Sequence, residues 1–339
     1  MRLHTNSHGH TFHVGGRRRP KQARHTHPHL FKSLRGYVRT LPPAPDFDNT
    51  TDCQTALSMI LANGPDPSAP PQVAVQGLGD CTSAGPGHII DSITAGAGAP
   101  VVITAQQAIT FYSLSTGYVL GQPSTDQGGD EVTVCQTWQQ KGYDGRGTHA
   151  IAGWAALSDD DLADPAFIKS CAWLFPMMFG LELADPWLNI AGDGFVWDVG
   201  SLPDPNDGHC VVGLGGNAQG LKIDSWGFLG TITYAAIKQF CSSDAGGNLF
   251  AILSPEVVNK AKKLAPNGFD YDQLLADLQG LGGNAPAPAP APAPTGPVTL
   301  AQAQSWVAAG IQQQDHELLT QADAIAAANA GLAAGWPQS

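Results

Sequence analysis

Several features are scarce in this chain of 339 residues, and each absence narrows its function. No run of about 18 apolar residues occurs, so the sequence predicts no membrane span. The N-terminus lacks the apolar stretch of a secretory signal peptide, and we expect a cytoplasmic or virion-associated protein. The six cysteines show neither metal-ligand spacing nor a convincing disulfide pair, so we expect no metal and no other cofactor.

Acidic residues are absent from residues 1–40, which hold 9 of the 17 lysines and arginines and 7 of the 11 histidines. Since the whole chain carries a net charge of −12, the remainder carries −12 − 9 = −21. The basic segment has little apolar surface to bury, so it is predicted to be a disordered tail. An anionic surface, nucleic acid or a metal bound by its alternating histidines are weaker alternatives.

The chain is rich in glycine (40) and proline (26), as expected of a loop-rich α+β protein. Helical patterns come first, and short apolar strands bounded by Gly, Asp or Pro follow. The predicted helices are Cys81–Ala95, Thr104–Ser115 and Val132–Lys141, and the predicted strands are Trp173–Gly180, Cys210–Leu214, Leu221–Ser225 and Leu249–Leu253.

The catalytic or binding core is predicted to span residues 41–281. A Pro-Ala repeat at 282–297 is typical of a stiff polyproline II linker. Residues 298–339 carry an apolar stripe at helical spacing, which predicts a long amphipathic helix or a helical hairpin. Such a helix cannot bury its stripe alone, so it should pack on the core, self-associate or dock to a protein partner.

Two distant motifs are predicted to form one active site. The first is Gln76-Gly77-Leu78-Gly79-Asp80-Cys81, which runs into a helix. The second is Gly208-His209-Cys210-Val211-Val212, followed by Asp224-Ser225-Trp226-Gly227. The order Cys, His, Asn/Asp with these separations resembles papain-type thiol enzymes. The resemblance implies a papain-like fold, with a helical half, an antiparallel β half and a cleft between them.

The resemblance also implies roles for individual residues. Cys81 would be the nucleophile, with its pKa lowered to roughly 3.5–7.5 by the helix N-terminus and His209. Asp224 stands where the family has an asparagine and would orient His209, while Gln76 and the Cys81 N–H would bind the oxyanion. Trp226 would shield the His209–Asp224 pair from water.

A third match, Asp126-Gln127-Gly128-Gly129, resembles the family's substrate-binding segment. There a glycine backbone pairs with the substrate main chain, which leaves no room for a side chain. Gly128 and Gly129 are therefore predicted to line the substrate cleft. The basic N-terminal segment is too short and too polar to resemble the family's inhibitory pro-segment.

These features predict a cysteine peptidase or amidase that cleaves peptide or isopeptide bonds and resembles divergent bacterial or phage members of the family. The alternative is a catalytically inactive papain-fold protein, docked through its extensions to an assembly such as a virion. A cell-wall endopeptidase of the NlpC type fits less well, because its Cys-to-His separation is much shorter. His88 lies on the Cys81 helix face and is expected to be structural, and His149 lacks the context of a catalytic base.

Overall fold

Eight strands form one sheet that is antiparallel except at one edge, where β6 and β9 run parallel. The computed structural model describes residues 2–18, 35, 38–39, 43–50 and 78–257, all within the unit Met1–Pro286. The strands of this sheet are β3 (Phe47–Asp48), β4 (Gly153–Ala156), β5 (Met177–Glu182), β6 (Phe195–Trp197), β7 (Gly208–Gly216), β8 (Gly220–Ser225), β9 (Phe228–Thr233) and β10 (Asn248–Leu253). Their order in the sheet is β4-β10-β5-β7-β8-β9-β6, and β3 pairs with the end of β7.

Six α-helices lie within the described residues, three of them before the first long strand. They are α1 (Cys81–Gly96), α2 (Ala105–Thr116), α3 (Glu131–Lys141), α4 (Asp159–Leu162), α5 (Pro165–Leu174) and α6 (Tyr234–Phe240). Local sequence sets their starts. Thr104 and Gln107 form the reciprocal capping box of α2, and Asp130 caps α3 by accepting from the Thr133 N–H.

The central strands carry apolar side chains on both faces, so the sheet has a core on each side. Because successive side chains alternate, Val211 and Phe179 belong to one cluster while Val212 and Met178 belong to the other. Helix α1 packs on the second face, where Gly85 would place a Cβ 3.3 Å from Val212. The start of α1 is thereby held against the start of β7.

Residues 2–18 differ from the predicted disordered tail. They form a hairpin of β1 (Arg2–Thr5) and β2 (Thr11–Val14) that leads into an extended segment. The Asn6 amide donates to the Leu188 and Ile190 carbonyls at 3.2 and 2.7 Å, and Val14 is fully buried. The composition of this segment hides these contacts, because its partners lie more than 100 residues away in the sequence.

The predicted α+β class is confirmed, and the three predicted helices are present to within about one residue at each end. Three of the predicted strands are present and are longer than predicted. The fourth, Trp173–Gly180, is wrong at its start, because Trp173 belongs to α5 and the strand begins at Met177. Along the described residues, no helix is both long and apolar enough to span a membrane. The predictions for 258–281, the linker 282–297 and the helix 298–339 lie outside the described residues.

Candidate active site

Cys81 is the first residue of α1, directly after the turn that Gly79 and Asp80 form. Amides in the first turn of a helix have no intrahelical partner, so they surround this position with N–H groups. The backbone of Cys210 on β7 forms a hydrogen bond with the Cys81 thiol. This contact joins the two motifs that the sequence analysis paired, across a separation of 129 residues (210 − 81).

His209 lies at the start of β7 and is almost fully buried. Its Nε2 is 3.1 Å from the Ser225 hydroxyl oxygen. The other ring nitrogen, Nδ1, is buried without a hydrogen-bond partner among the described residues. With Nε2 engaged, Nδ1 is the ring nitrogen available to exchange a proton.

Ser225, and not Asp224, is therefore the residue that contacts His209, which corrects the predicted pairing. The β7–β8 register places Asp224 opposite Val212, with a bulge between Gly213 and Gly215. Since side chains alternate along a strand, Asp224 shares the Val212 face, and the next residue, Ser225, lies on the His209 face.

Asp224 instead faces His88 of α1, whose Nδ1 is 3.4 Å from Asp224 Oδ2. Burial raises the pKa of Asp224 to about 8, while a backbone hydrogen bond from Gly227 opposes this. Burial also lowers the pKa of His88 to about 3. Burial therefore favours the uncharged form of each group, a carboxylic acid and a neutral imidazole, which avoids burying a charge.

Trp226 covers His209 as predicted from the resemblance. The two rings stack at 4.3 Å between centroids with an interplanar angle of 16°. Trp226 has a φ of 52° and Gly227 a φ of 77°, so the two residues form the tight turn between β8 and β9. A positive φ is unfavourable for a bulky side chain, and such strain is concentrated at functional sites.

Cys81, His209, Ser225 and Trp226 line one small cavity between α1 and the ends of β7 and β8. The cavity holds about 20 Å³, room for roughly one water molecule. Its other lining residues are Ala84, Gly85, His88, Cys210, Val211, Val212 and Asp224. Cys81, His209, Asp224 and Trp226, four of the residues that the sequence analysis singled out, thus lie around one cavity.

The electrostatics differ from the predicted thiolate–imidazolium pair. Burial raises the pKa of the Cys81 thiol far above its ordinary value, outweighing the Cys210 hydrogen bond, and the nearby Asp80 side chain raises it further. Burial lowers the pKa of His209 to about 3. The prediction considered the helix terminus and the histidine but not the exclusion of water from this site. In this state both groups are neutral at physiological pH.

Gly129 lies against Thr82, the residue after Cys81, and the positions of Gly128 and Gly129 both need glycine. A Cβ on Gly129 would lie 2.3 Å from the Thr82 hydroxyl oxygen, and Gly128 has a φ of 71°. The Tyr112 hydroxyl donates to Asp126 Oδ1 at 2.6 Å and accepts from the Gly128 N–H at 2.8 Å.

Asp126 continues this network to the nucleophile turn. Its two carboxylate oxygens accept from the Gly79 N–H at 3.2 and 3.1 Å. One buried tyrosine–aspartate pair therefore holds both the glycine segment and the turn before Cys81. Sequence reasoning identified the Asp126-Gln127-Gly128-Gly129 motif, but it gave no role to Tyr112.

An extended stretch of the chain's own N-terminal segment, Gly15–Arg18, lies in the cleft between these walls. The Gly129 N–H donates to the Gly16 carbonyl at 3.0 Å, and the Arg18 N–H donates to the Gly129 carbonyl at 2.7 Å. On the other wall, the Gly208 carbonyl accepts from Gly15 and Arg17 at 3.1 and 3.2 Å. We call this backbone-lined channel, bounded by Gly79, Gly128, Gly129 and Gly208, the glycine cleft.

Gln76, the predicted oxyanion donor, lies outside the described residues. His149 is not among the residues that line the cavity, and its Nδ1 is 2.5 Å from Glu256 Oε1. The five described cysteines are all buried free thiols, which for Cys135, Cys171 and Cys210 confirms the predicted core packing.

One group of carboxylates within the described residues has the spacing of a metal site: Asp185, Asp204 and Asp207, whose oxygens lie within 4.8 Å of one another. None of the three lines the cavity. Partly exposed acidic groups of this kind are common without a metal, so this cluster is not assigned a function.

No family model and no curated protein sequence matches the chain. Solved structures of papain-like cysteine proteases are similar to it. Xylellain, a cysteine protease from Xylella fastidiosa, has 16% identity and a TM-score of 0.39, and the match covers 63% of this chain and 94% of xylellain. Procathepsin L2 from the Tenebrio molitor larval midgut has 16% identity and a TM-score of 0.42, with 71% and 78% covered.

The proform of Amb a 11, a cysteine protease and ragweed pollen allergen, has 13% identity and a TM-score of 0.42, and the match covers 67% of this chain and 73% of the allergen. All three likenesses have identities of 13–16% and TM-scores near 0.4. Whether this chain is active depends on its own site residues.

Proposed function

We propose that the chain is a cysteine peptidase or amidase that cleaves a peptide or isopeptide bond through an acyl-enzyme intermediate. The observation that carries this proposal is the shared cavity, which is lined by Cys81 at the start of α1 and by His209 on β7. The nucleophile and its base come from different elements, and the Cys210 backbone links them. Trp226 shields the imidazole, and Ser225 holds its Nε2.

The reaction follows from the atoms present. Nδ1 of His209 accepts the thiol proton as Cys81 Sγ attacks the carbonyl carbon, forming a tetrahedral oxyanion near the Cys81 N–H. The imidazolium then donates that proton to the leaving amine, and the C–N bond breaks to give a thioester. His209 next removes a proton from water, whose oxygen attacks the thioester and releases the acid and the thiol.

Ser225 and Asp224 act differently in this scheme. The Ser225 hydroxyl fixes the ring orientation and tautomer of His209, a positioning role. Asp224 with His88 closes the back of the cavity as a neutral pair. Gln76 stays a predicted second oxyanion donor. Because Gly15–Arg18 fills the glycine cleft, a substrate must displace that segment before it reaches Cys81.

Hydrolysis of fluorescein-labelled casein tests the proposal. We would compare the full chain, the Gly16→Ala variant and the same variant carrying Cys81→Ala or His209→Ala. A Cβ on Gly16 would lie 2.8 Å from the Gly79 carbonyl oxygen, so this change should displace the N-terminal segment. Matched controls are Cys135→Ala and His149→Asn, a buried thiol and a histidine outside the cavity.

We expect Gly16→Ala to hydrolyse casein, the matched controls to keep that activity, and either site substitution to abolish it. Equal hydrolysis with and without Cys81 would overturn the proposal. It would favour the alternative of an inactive papain-fold protein that acts through its extensions.

A further inference from the structure

Arg17 is the only lysine or arginine that is buried among the described residues, with 1% of its side chain exposed. A buried guanidinium requires compensation by opposite charge. Its two neighbours in sequence, Gly16 and Arg18, make the main-chain contacts with the glycine cleft described above. The main chain at Arg17 therefore lies in the cleft, while the Arg17 side chain is buried in the core.

The pocket that receives it is acidic and belongs entirely to the core. Glu131, the first residue of α3, accepts from Arg17 Nε at 2.6 Å. Glu182, at the end of β5, places Oε1 4.0 Å from Nη1. Asn248, the first residue of β10, donates to the other Glu131 oxygen at 3.4 Å. These residues, with Gly180, are called the arginine pocket.

The position of Gly180 is a further sign of a built site. A Cβ there would lie 2.3 Å from Glu131 Oε1 and 2.6 Å from Asn248 Oδ1, so any larger residue would push the carboxylate aside. The Arg17 terminal nitrogens make no hydrogen bond to the described residues. Compensation of the guanidinium therefore depends on the charge of two carboxylates and the single strong bond at Nε.

The arginine pocket adjoins the nucleophile. The Glu131 carboxylate raises the pKa of Cys81 and the Arg17 guanidinium lowers it, so both lie within electrostatic range of the thiol. On the opposite wall, Gly208 pairs with Glu182 across β5 and β7, directly before His209. A chain that lies in the cleft beside Cys81 and His209 thus presents one side chain to this pocket.

We propose that the arginine pocket is a specificity subsite of the cleft, which selects peptides with an arginine close to the scissile bond. Arg17 is then its occupant in cis. The inference rests on the proposed function only in treating the bound peptide as a substrate. The pocket and its preference for arginine can be tested by binding alone. A neutral side chain of the same shape would leave the buried Glu131 carboxylate without the cation that it bonds, which should weaken binding about 30-fold or more.

The test uses the full chain carrying Gly16→Ala and Cys81→Ala, which vacates the cleft and prevents turnover. The probes are fluorescein-labelled peptides Gly-Gly-Arg-Arg, the sequence of residues 15–18, with citrulline or lysine in place of the first arginine. Citrulline keeps the shape of arginine but is neutral, so the comparison isolates charge. Fluorescence anisotropy gives the Kd of each peptide.

We expect the arginine peptide to bind at least about 30-fold tighter than the citrulline peptide, with lysine between them because it lacks the Nε–H that bonds to Glu131. Glu131→Gln in the same background should shrink the ratio of arginine to citrulline affinity. Equal affinities for the two peptides would overturn the proposal. So would a ratio that Glu131→Gln leaves unchanged.

A second variant keeps the proposal testable if Gly16→Ala does not displace the N-terminal segment from the cleft. Arg17→Ala removes the occupant itself, and Arg18→Ala, an exposed neighbour, is the matched control. We expect the arginine peptide to raise the Tm of Arg17→Ala and not that of Arg18→Ala, in which Arg17 still fills the pocket. No rise in the Tm of Arg17→Ala would also refute the proposal.

The results separate the two proposals. Selective arginine binding without hydrolysis in any Cys81-containing variant would support the pocket and contradict the peptidase. Hydrolysis that does not favour arginine over citrulline would support the peptidase and contradict the pocket.

Discussion

The reactivity of Cys81 should depend on whether Gly15–Arg18 covers it. With the segment in place, burial raises the pKa of the thiol far above that of an exposed cysteine, near 8.5. Each unit of increase lowers the thiolate fraction at a given pH about tenfold and corresponds to about 1.4 kcal/mol. Burial therefore makes Cys81 react far more slowly at pH 8 than an exposed thiol does.

Displacing the segment hydrates the site and removes the largest cause of this shift. In Gly16→Ala we expect Cys81 to react with iodoacetamide at least about 10-fold faster than in the unchanged chain, and faster still at low pH if an ion pair with His209 forms. Arg17 leaves with the segment, and the loss of its favourable charge opposes this gain, but burial is the larger effect.

The assay is alkylation from pH 4 to 9, quantified for each cysteine-containing peptide by mass spectrometry. Three other described cysteines are buried outside the cavity and serve as internal controls for global unfolding: Cys135, Cys171 and Cys241. His209→Ala in the Gly16→Ala background should remove any labelling that persists near pH 5. Fast labelling of the unchanged chain at pH 5, lost in His209→Ala, would refute the argument from burial, since the ion pair would already exist in the covered site.

Three further outcomes follow from contacts around the site. Ser225→Ala should lower kcat by on the order of 10–100-fold because it releases His209 Nε2, whereas Asp224→Asn should lower kcat less. The assay is steady-state kinetics in the Gly16→Ala background. A larger loss of kcat in Asp224→Asn than in Ser225→Ala would make Asp224 the orienting residue. Asp224→Asn should also flatten the pH dependence of stability. Burial raises the Asp224 pKa to about 8. Its contribution is full below the unfolded pKa near 3.9 and is lost as pH rises through 8. Urea unfolding at pH 5 and pH 9 tests this: the unchanged chain should lose more stability between the two pH values than Asp224→Asn does, and a larger loss in Asp224→Asn would contradict the prediction. Tyr112→Phe should lower the free energy of unfolding by about 1–3 kcal/mol, because it deprives buried Asp126 of a hydrogen bond, and an unchanged urea midpoint would contradict this network.

Local signals in the sequence predicted the parts of the fold that depend on local physics. The Thr104–Gln107 capping box and the glycines before Cys81 place two helix starts, because the residues that satisfy those first turns lie within a few positions of them. Strands with neighbours on both faces were harder, and Trp173 shows why. An apolar run that ends a buried helix and begins a buried strand has no periodicity that marks the boundary.

The pairing of His209 could not be predicted from residue spacing. A shift of one residue in register moves every side chain to the opposite face of a strand. The bulge between Gly213 and Gly215 sets the β7–β8 register, and it leaves Ser225 rather than Asp224 beside His209. The motif was therefore correct as a location while the partner within it was not, because the bulge depends on tertiary contacts that the sequence does not display.

The N-terminal segment illustrates the same limit more strongly. The composition of residues 1–40 favours disorder in an isolated segment. In this chain, however, the core carries the complementary charge. Glu131 and Glu182 are buried carboxylates whose partner lies 114 residues from Glu131 in the sequence. Burying them without a cation would be costly, so the core favours binding of an arginine as much as the segment does. The sequence shows a basic tail and an acidic remainder, and only the fold shows that a single arginine and two glutamates meet beside the nucleophile.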